Sequence, residues 1–267
     1  MSKQKISVAT LKQMKAEGEK FAVLTAYDAS FAYQLDQCGV EVILVGDSLG
    51  MVIQGGETTL PVTVDDIVYH TRAVARGASS ALIMADMPFM ADATVEQAVH
   101  NAGRLMKEGG AHIVKLEGGA SQVEAIRRLT QLGIPVCGHL GLQPQSVHKL
   151  GGYKVQGREQ AVAQAILDDA GLLVEAGADM LLLECVPEGL AAQVTAAVPV
   201  PVIGIGAGAA TDAQVLVLYD MLGITAGFRP KFSQDFLAGH GSIQEAIRAY
   251  VQAVKSGTFP DSDHSFQ

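Results

Sequence analysis

The stretch RLMKEGGAHIVKLEG, residues 104–118, carries the pattern that decides the fold. It is a helical segment, a glycine near its end, then a short β-branched run that closes on charged residues. Gly110 stands where a helix C-terminus calls for a left-handed residue, which glycine adopts without a Cβ penalty. HIVKLEG then reads as a strand. The same unit recurs as QLDQCGVEVILVGD at 34–47, AVARGASSALIMAD at 73–86, RLTQLGIPVCGHLG at 128–141 and LLVEAGADMLLLEC at 172–185. Gly39, Gly77, Gly133 and Gly177 take the matching place, so each unit is an αβ junction. FAVLTAY at 21–27, PVIGIGAG at 201–208 and QVLVLYDML at 214–222 bring the strand candidates to about eight. One intervening helix shows the expected period, with Val162, Ala165, Ile166, Ala170, Leu173 and Val174 on one face and Glu159, Asp168 and Glu175 off it.

About eight βα units in 267 residues match a (β/α)8 TIM barrel, typically about 250 residues long. An open doubly wound sheet is the rival, and periodicity does not separate the two. The composition suits either: 49% hydrophobic, 18% charged, 5% aromatic and no Trp. That is an aliphatic core of strands buried on both faces under helices. No linker divides residues 1–267, which read as a single barrel domain. Residues 7–18 read as an extra helix before the first strand, with Ser7 or Thr10 as N-cap, placed to plug the barrel's bottom. Residues 242–257 read as the last barrel helix or a tail helix, and PDSDHSFQ after them as a frayed or oligomer-bound terminus.

A net charge of −9 and the lack of a basic stripe argue against a nucleic-acid partner, which draws affinity from clustered Lys and Arg. No apolar run approaches the roughly 20 residues of a membrane helix, and the N-terminal lysines precede no apolar signal region, so the expected setting is the cytoplasm. Cys38, Cys137 and Cys185 lack CxxC spacing and read as small buried hydrophobes.

Strand interiors here are almost wholly apolar, so polar residues within them or just beyond them require a reason. Asp47 ends VILVGD, Asp86 ends LIMAD, Lys115 and Glu117 lie in HIVKLEG, His139 lies in PVCGHLG, and Glu184 follows MLLL. Lys115 and Glu117, two apart, point to the same side. Polar residues at the ends of five consecutive strands favour a closed ring. Asp47, Asp86 and Glu117 suit a hard cation such as Mg²⁺, which takes one or two carboxylates with water and a chelating substrate. Zinc is disfavoured because His139 stands alone, and His100, His112 and His148 are not spaced as ligands. Such a cation would polarise the carbonyl of a small oxo acid, and Glu184 is free to remove the adjacent proton. Lys115 could hold the substrate's carboxylate or oxyanion. A Schiff-base role is disfavoured, since a lysine beside carboxylates stays charged.

Two glycine-rich stretches complete the inventory. Gly204-Ile-Gly206-Ala-Gly208 lacks the full dinucleotide spacing and reads as a tight turn or a receiver for part of a ligand. Residues 141–157 form a long loop after the fifth strand, either a lid over the site or a flexible surface loop, with Tyr153 and Lys154 as its ligand-facing candidates.

The motifs TAYDASFA, LVGDSLGMVIQG, TLPVTVDDIVYHTRAV, ADMPFM, VKLEGG, PVCGHLGLQPQSV, GGYKVQGR, LLLECVP, PVIGIGAG and PKF at 230–232 resemble the ketopantoate hydroxymethyltransferase family. The resemblance runs from about Lys20 to the terminal HSF. It implies transfer of a hydroxymethyl unit from 5,10-methylenetetrahydrofolate to 3-methyl-2-oxobutanoate, giving 2-dehydropantoate for pantothenate and coenzyme A. Residue by residue it implies one Mg²⁺ per subunit surrounded by Asp47, Asp86 and Glu117, oxo acid contacts from Asp47, Ser48, Asp86 and Lys115, and Glu184 as proton acceptor. His139 is the supporting candidate. The resemblance also implies a barrel of the phosphoenolpyruvate mutase and isocitrate lyase superfamily and a cytoplasmic homodecamer. Tyr153, Phe228 and Phe232 are candidates to stack on the folate. The competing enzyme reading is a metal-dependent lyase or aldolase acting on another 2-oxo acid without folate.

Overall fold

Eight short parallel strands pair in chain order in the computed structural model, which describes residues 5–227 and 229–267. They are β1 (Phe21–Thr25), β2 (Val42–Val45), β3 (Leu82–Asp86), β4 (Ile113–Glu117), β5 (Val136–Gly141), β6 (Met180–Glu184), β7 (Val202–Ile205) and β8 (Ala213–Leu216). Val23 of β1 pairs with Val42 of β2 on one side and Val215 of β8 on the other, so the sheet closes and the open-sheet rival is excluded. The α-helices are α1 (Val8–Glu17), α2 (Ala29–Cys38), α3 (Leu49–Val52), α4 (Val64–Gly77), α5 (Val95–Arg104), α6 (Val123–Gln131), α7 (Val147–Leu150), α8 (Gln160–Glu175), α9 (Glu188–Ala197), α10 (Leu218–Met221) and α11 (Ile243–Ser256).

Side chains alternate across each strand, and the alternation sorts the core into two layers. Phe21, Val23, Val42, Leu44, Leu82, Met84, Ile113, Cys137, Met180, Leu182, Ile203, Ile205, Ala213 and Val215 fill the barrel interior. Their neighbours, among them Leu24, Ile43, Ile83, Val114, Leu116 and Leu183, face the surrounding helices. Carrying the inward phase toward the C-terminal strand ends places Asp86, Lys115, Glu117, His139 and Glu184 above an apolar floor. The fold thus sets five of the candidate residues by register alone.

The N-terminal helix forms as expected, and both cap candidates take part. Ser7 Oγ accepts from Thr10 N at 3.2 Å, and Thr10 Oγ1 accepts from Ser7 N at 3.3 Å. Leu11 from α1 is fully buried within the barrel-interior cluster. Lys12 pairs with Asp179 at 2.7 Å and Lys15 with Asp212 at 2.8 Å, just before β6 and β8, so α1 closes the bottom. All three cysteines are buried, and none is in a disulfide.

Four expectations need correction. Gly77 is not left-handed, unlike Gly39, Gly110, Gly133 and Gly177; a Cβ there would collide with Ala29 O, so it is needed for the close approach of α2 and α4. No helix joins β7 to β8: residues 206–212 cross directly, and the seventh βα unit lacks its helix. The run 214–222 is strand only to Leu216, after which Leu218–Met221 turns into α10. The barrel's last covering helix is α11, whose buried Tyr250 hydroxyl reaches Val23 O at 3.0 Å and Gln214 O at 2.8 Å across the β1–β8 seam. Fourth, the segment after α11 is not frayed. Phe259 and Ser265 are buried, and Glu188 N donates to Phe266 O at 2.9 Å.

The apolar face of α8 is narrower than its sequence pattern: Ile166, Ala170 and Leu173 are buried, whereas Val162 and Ala165 are exposed.

Candidate active site

At the C-terminal mouth, Lys115 is the hub. Its Nζ lies 3.2 Å from Asp86 Oδ1 and 3.2 Å from His139 Nδ1, and it is almost completely buried. Burial alone would lower its pKa, but the charges of Asp86, Glu117 and Asp47 outweigh burial and raise it. Lys115 is therefore a fixed cation, as the argument against a Schiff base requires.

The acids surround it. Asp86 Oδ2 accepts from the Asp47 backbone N–H at 3.0 Å, tying the end of β3 to the turn after β2. Asp47 is pushed up to about 8 by burial and by the neighbouring charges of Asp86 and Glu117. Asp86 is raised by burial, with Lys115 opposing. For Glu117 the balance reverses: burial would raise it, but contacts with His139 and Lys115 hold it low.

His139 sits between two acids, with Nδ1 3.4 Å from Glu117 Oε1 and Nε2 3.2 Å from Glu184 Oε2. Its Nδ1 cannot serve both Lys115 and Glu117 in one state: a bare nitrogen accepts from Lys115, and a protonated one donates to Glu117. Burial and Lys115 oppose its charge, but Glu117 and Glu184 prevail and raise it to about 9. The charged ring is the state these contacts favour.

The donor set fits a divalent cation that prefers oxygen. Asp86 Oδ1 and Glu117 Oε1 are buried and make only ion-pair contacts, with Lys115 and His139, and the cluster sets four carboxylates against two basic side chains. Among the described residues no group of three or more His, Cys, Asp or Glu side chains is gathered to hold an ion unaided. The open arrangement leaves coordination positions to water and a chelating substrate. Asp47, Asp86 and Glu117 are the residues that would hold it.

A sequence model of ketopantoate hydroxymethyltransferase matches residues 5–262. The chain belongs to that family. Curated relatives named 3-methyl-2-oxobutanoate hydroxymethyltransferase include one from Alkalilimnicola ehrlichii, 60% identical over 99% of this chain and 96% of its own length. Another is from Hahella chejuensis, 60% identical over 98% of each chain. Among solved structures, a putative phosphonomutase from Burkholderia cenocepacia aligns with TM-score 0.64 at 16% identity over 81% of this chain and 95% of that one. Phosphonopyruvate hydrolase in complex with oxalate and Mg²⁺ aligns with TM-score 0.61 at 14% identity, covering 94% of this chain and 98% of the other. A 2,3-dimethylmalate lyase of the PEP mutase/isocitrate lyase superfamily aligns with TM-score 0.58 at 16% identity, covering 81% and 82%. These likenesses match the barrel.

In this member of the hydroxymethyltransferase family, the structure brings together all seven candidate side chains. Asp47 lies two residues beyond β2, in the turn rather than in the strand. Ser48 follows it, and its Oγ meets Tyr27 OH at 2.8 Å. Tyr153 reaches Met51 Sδ at 3.7 Å from the loop after β5 and stays half-exposed, consistent with a wall over the site. Lys154 is exposed. Phe232 packs against the barrel interior. Phe228 lies outside the described residues. His112 is not at the mouth; its Nδ1 accepts from Ile83 N at 3.0 Å.

Sequence reasoning missed Gln145 and Tyr27. Gln145 Nε2 donates to Asp47 Oδ2 at 2.9 Å and to Met87 O at 2.9 Å, and its backbone N–H donates to Glu117 Oε2 at 3.1 Å. One loop residue therefore positions two acids from different strands. Its position in the long loop 141–157 was the available signal, but no spacing rule singles it out. Tyr27 ends the FAVLTAY run, where the same test of polar groups at strand ends would have found it.

Proposed function

We propose that this chain transfers the hydroxymethyl unit of 5,10-methylenetetrahydrofolate to 3-methyl-2-oxobutanoate, with uptake of water, giving 2-dehydropantoate and tetrahydrofolate for pantothenate and coenzyme A synthesis. The observation that carries this reading is the inward ring of Asp86, Lys115, Glu117, His139 and Glu184 above an apolar floor, in a chain of this family.

Asp47, Asp86 and Glu117 would hold Mg²⁺, which would supply Lewis acidity for removal of the oxo acid's C3 proton. Lys115 binds the acid's carboxylate or developing oxyanion as a permanently charged donor, in a site where water does not screen it. Ser48, Asp47 and Asp86 complete the acid's polar contacts, with Ser48 oriented by Tyr27. Glu184 takes the C3 proton, and His139, 3.2 Å from its Oε2, holds the carboxylate in place. The carbanion equivalent left at C3 forms the new bond to the donor's methylene carbon as both of that carbon's C–N bonds are broken in turn, with water supplying the hydroxyl and tetrahydrofolate leaving. Leu182 and Ile205, inward and apolar beside Glu184, shield the substrate's branched end from water.

Family membership also supports the homodecamer, the cytoplasmic setting and a single barrel domain as parts of the same proposal. Among the described residues no helix is long and apolar enough to cross a membrane.

The test is product analysis by NMR. Incubation with 3-methyl-2-oxobutanoate, 5,10-methylenetetrahydrofolate and Mg²⁺ is expected to yield 2-dehydropantoate, with no product when folate is omitted. Folate-independent cleavage of oxaloacetate or methylisocitrate, with no transfer, would establish the lyase reading instead.

A further inference from the structure

The barrel mouth is lopsided. Acids and bases crowd the ends of β2 to β6, while the end of β7 is apolar and carries aromatic rings. Ile205, inward on β7, pairs in register with Glu184. The next residue, Gly206, has φ 59°, and a Cβ placed on it would approach Phe232 Cδ1 to 2.9 Å and Phe266 Cε2 to 3.0 Å. Two phenyl rings therefore rest on the backbone above the strand beside the proton acceptor. Phe232 packs against both the barrel interior and the layer beneath the helices, and its approach to Gly206, just past the end of β7, puts it at the rim of the mouth. Both rings are only partly buried.

Phe266 comes from the segment after α11, and that segment is fastened on several sides. Its carbonyl accepts from Glu188 N at 2.9 Å. Lys231 Nζ donates to Ser265 O at 2.8 Å and lies 5.4 Å from the Phe266 ring centroid. Gln267 Nε2 reaches Glu188 Oε1 at 2.9 Å, and Ser265 Oγ donates to Asp261 O at 2.7 Å. A flat apolar surface held this firmly loses little freedom when a ligand stacks on it.

The oxo acid is small and aliphatic, and the polar ring above the apolar floor already satisfies its oxygens. The donor has a flat heteroaromatic ring that needs an apolar face. We propose that Phe232 and Phe266 form the platform on which the pterin ring of the donor stacks, bringing its one-carbon unit toward the Glu184 side of the mouth. This rests on the donor assigned above. It makes Phe232 and Phe266 binding residues, with Gly206 required so that both rings can approach.

Isothermal titration of the Mg²⁺-loaded full chain with tetrahydrofolate, and separately with 3-methyl-2-oxobutanoate, tests it. Phe232→Leu and Phe266→Leu keep the apolar bulk but remove the π face. Each is expected to weaken tetrahydrofolate roughly tenfold, as loss of an aromatic stacking partner does, and by roughly fivefold more than it weakens the oxo acid. Phe232→Tyr, which keeps the ring, is expected to restore most of the affinity. Tetrahydrofolate affinity within about twofold of the unmodified chain in both Leu variants would overturn the platform, as would parallel losses for both ligands. An unmodified chain that binds no tetrahydrofolate would overturn the donor assignment as well, which distinguishes the two failures.

Discussion

His139 places its Nε2 3.2 Å from Glu184 Oε2, and its other nitrogen lies 3.4 Å from Glu117 Oε1, so one imidazole links the end of β6 to the end of β4 across the mouth. Neither contact is reproduced by a shorter side chain. His139→Asn is expected to lower kcat about a hundredfold through misplacement of Glu184, with a much smaller change in KM for the oxo acid. Steady-state kinetics check this; an unchanged kcat would remove His139 from the positioning role.

Lys115 is the only basic side chain among the described residues that touches Asp86. Lys115→Met would leave buried carboxylates without their cation, a change that typically costs about 3–5 kcal/mol. In a chain of this size the melting temperature should fall by about 10 °C. Calorimetry of the metal-free protein measures it, and a melting temperature equal to that of the unmodified chain would mean that the acids are neutral without Lys115.

The buried excess of carboxylates over basic side chains around Asp86 and Glu117 leads to the third expectation. Rigorous chelation with EDTA should abolish turnover, and added Mg²⁺ should restore it, because the Lewis acidity that the ion would supply at these acids is lost on chelation. Undiminished activity after chelation would rule out a metal at these acids.

Much of this site was legible because strand interiors in this chain are aliphatic. Lys115 inside HIVKLEG and His139 inside PVCGHLG break a strong pattern, and the two-residue period fixes which way they face. Gln145 breaks no pattern: it sits in a loop of Gln, Pro and Ser, where polar residues are ordinary, and only the folded chain brings it to Asp47 and Glu117. The switch from β8 to α10 was hidden for the opposite reason. QVLVLYDML is rich in strand formers, yet α10 begins within it, where Leu218 N finds the buried Thr25 Oγ1 at 3.0 Å, a partner far away in sequence. The tail misled because its letters are polar, while its anchors, Phe259 and the backbone of Phe266, act through the folded body.

Asp36 offers a test of pH dependence away from the mouth. Its Oδ1 accepts from Ser80 N at 2.9 Å, Ser80 Oγ at 2.7 Å and Ala81 N at 2.8 Å, and its Oδ2 accepts from Ser79 Oγ at 2.8 Å. Burial alone would raise its pKa, but these bonds hold it down to about 2, from 3.8. A depressed carboxylate stabilises the folded state above its unfolded pKa, and that contribution disappears as pH falls through the folded value. Asp36→Asn should therefore be less stable than the unmodified chain at pH 6, with the gap narrowing between about pH 4 and about pH 2. Urea unfolding across that range checks it; a gap that stays constant with pH would contradict the charge-based account.

The central claim is that Glu184 removes the C3 proton of the oxo acid, and hydrogen–deuterium exchange at C3, followed by NMR in D₂O with Mg²⁺ and without folate, tests it most directly. Glu184→Gln is expected to slow exchange by about 10²–10⁴-fold, the usual worth of a general base, while oxo acid binding to the Mg²⁺-loaded protein persists. Rapid exchange in that variant would contradict the account and place the base elsewhere.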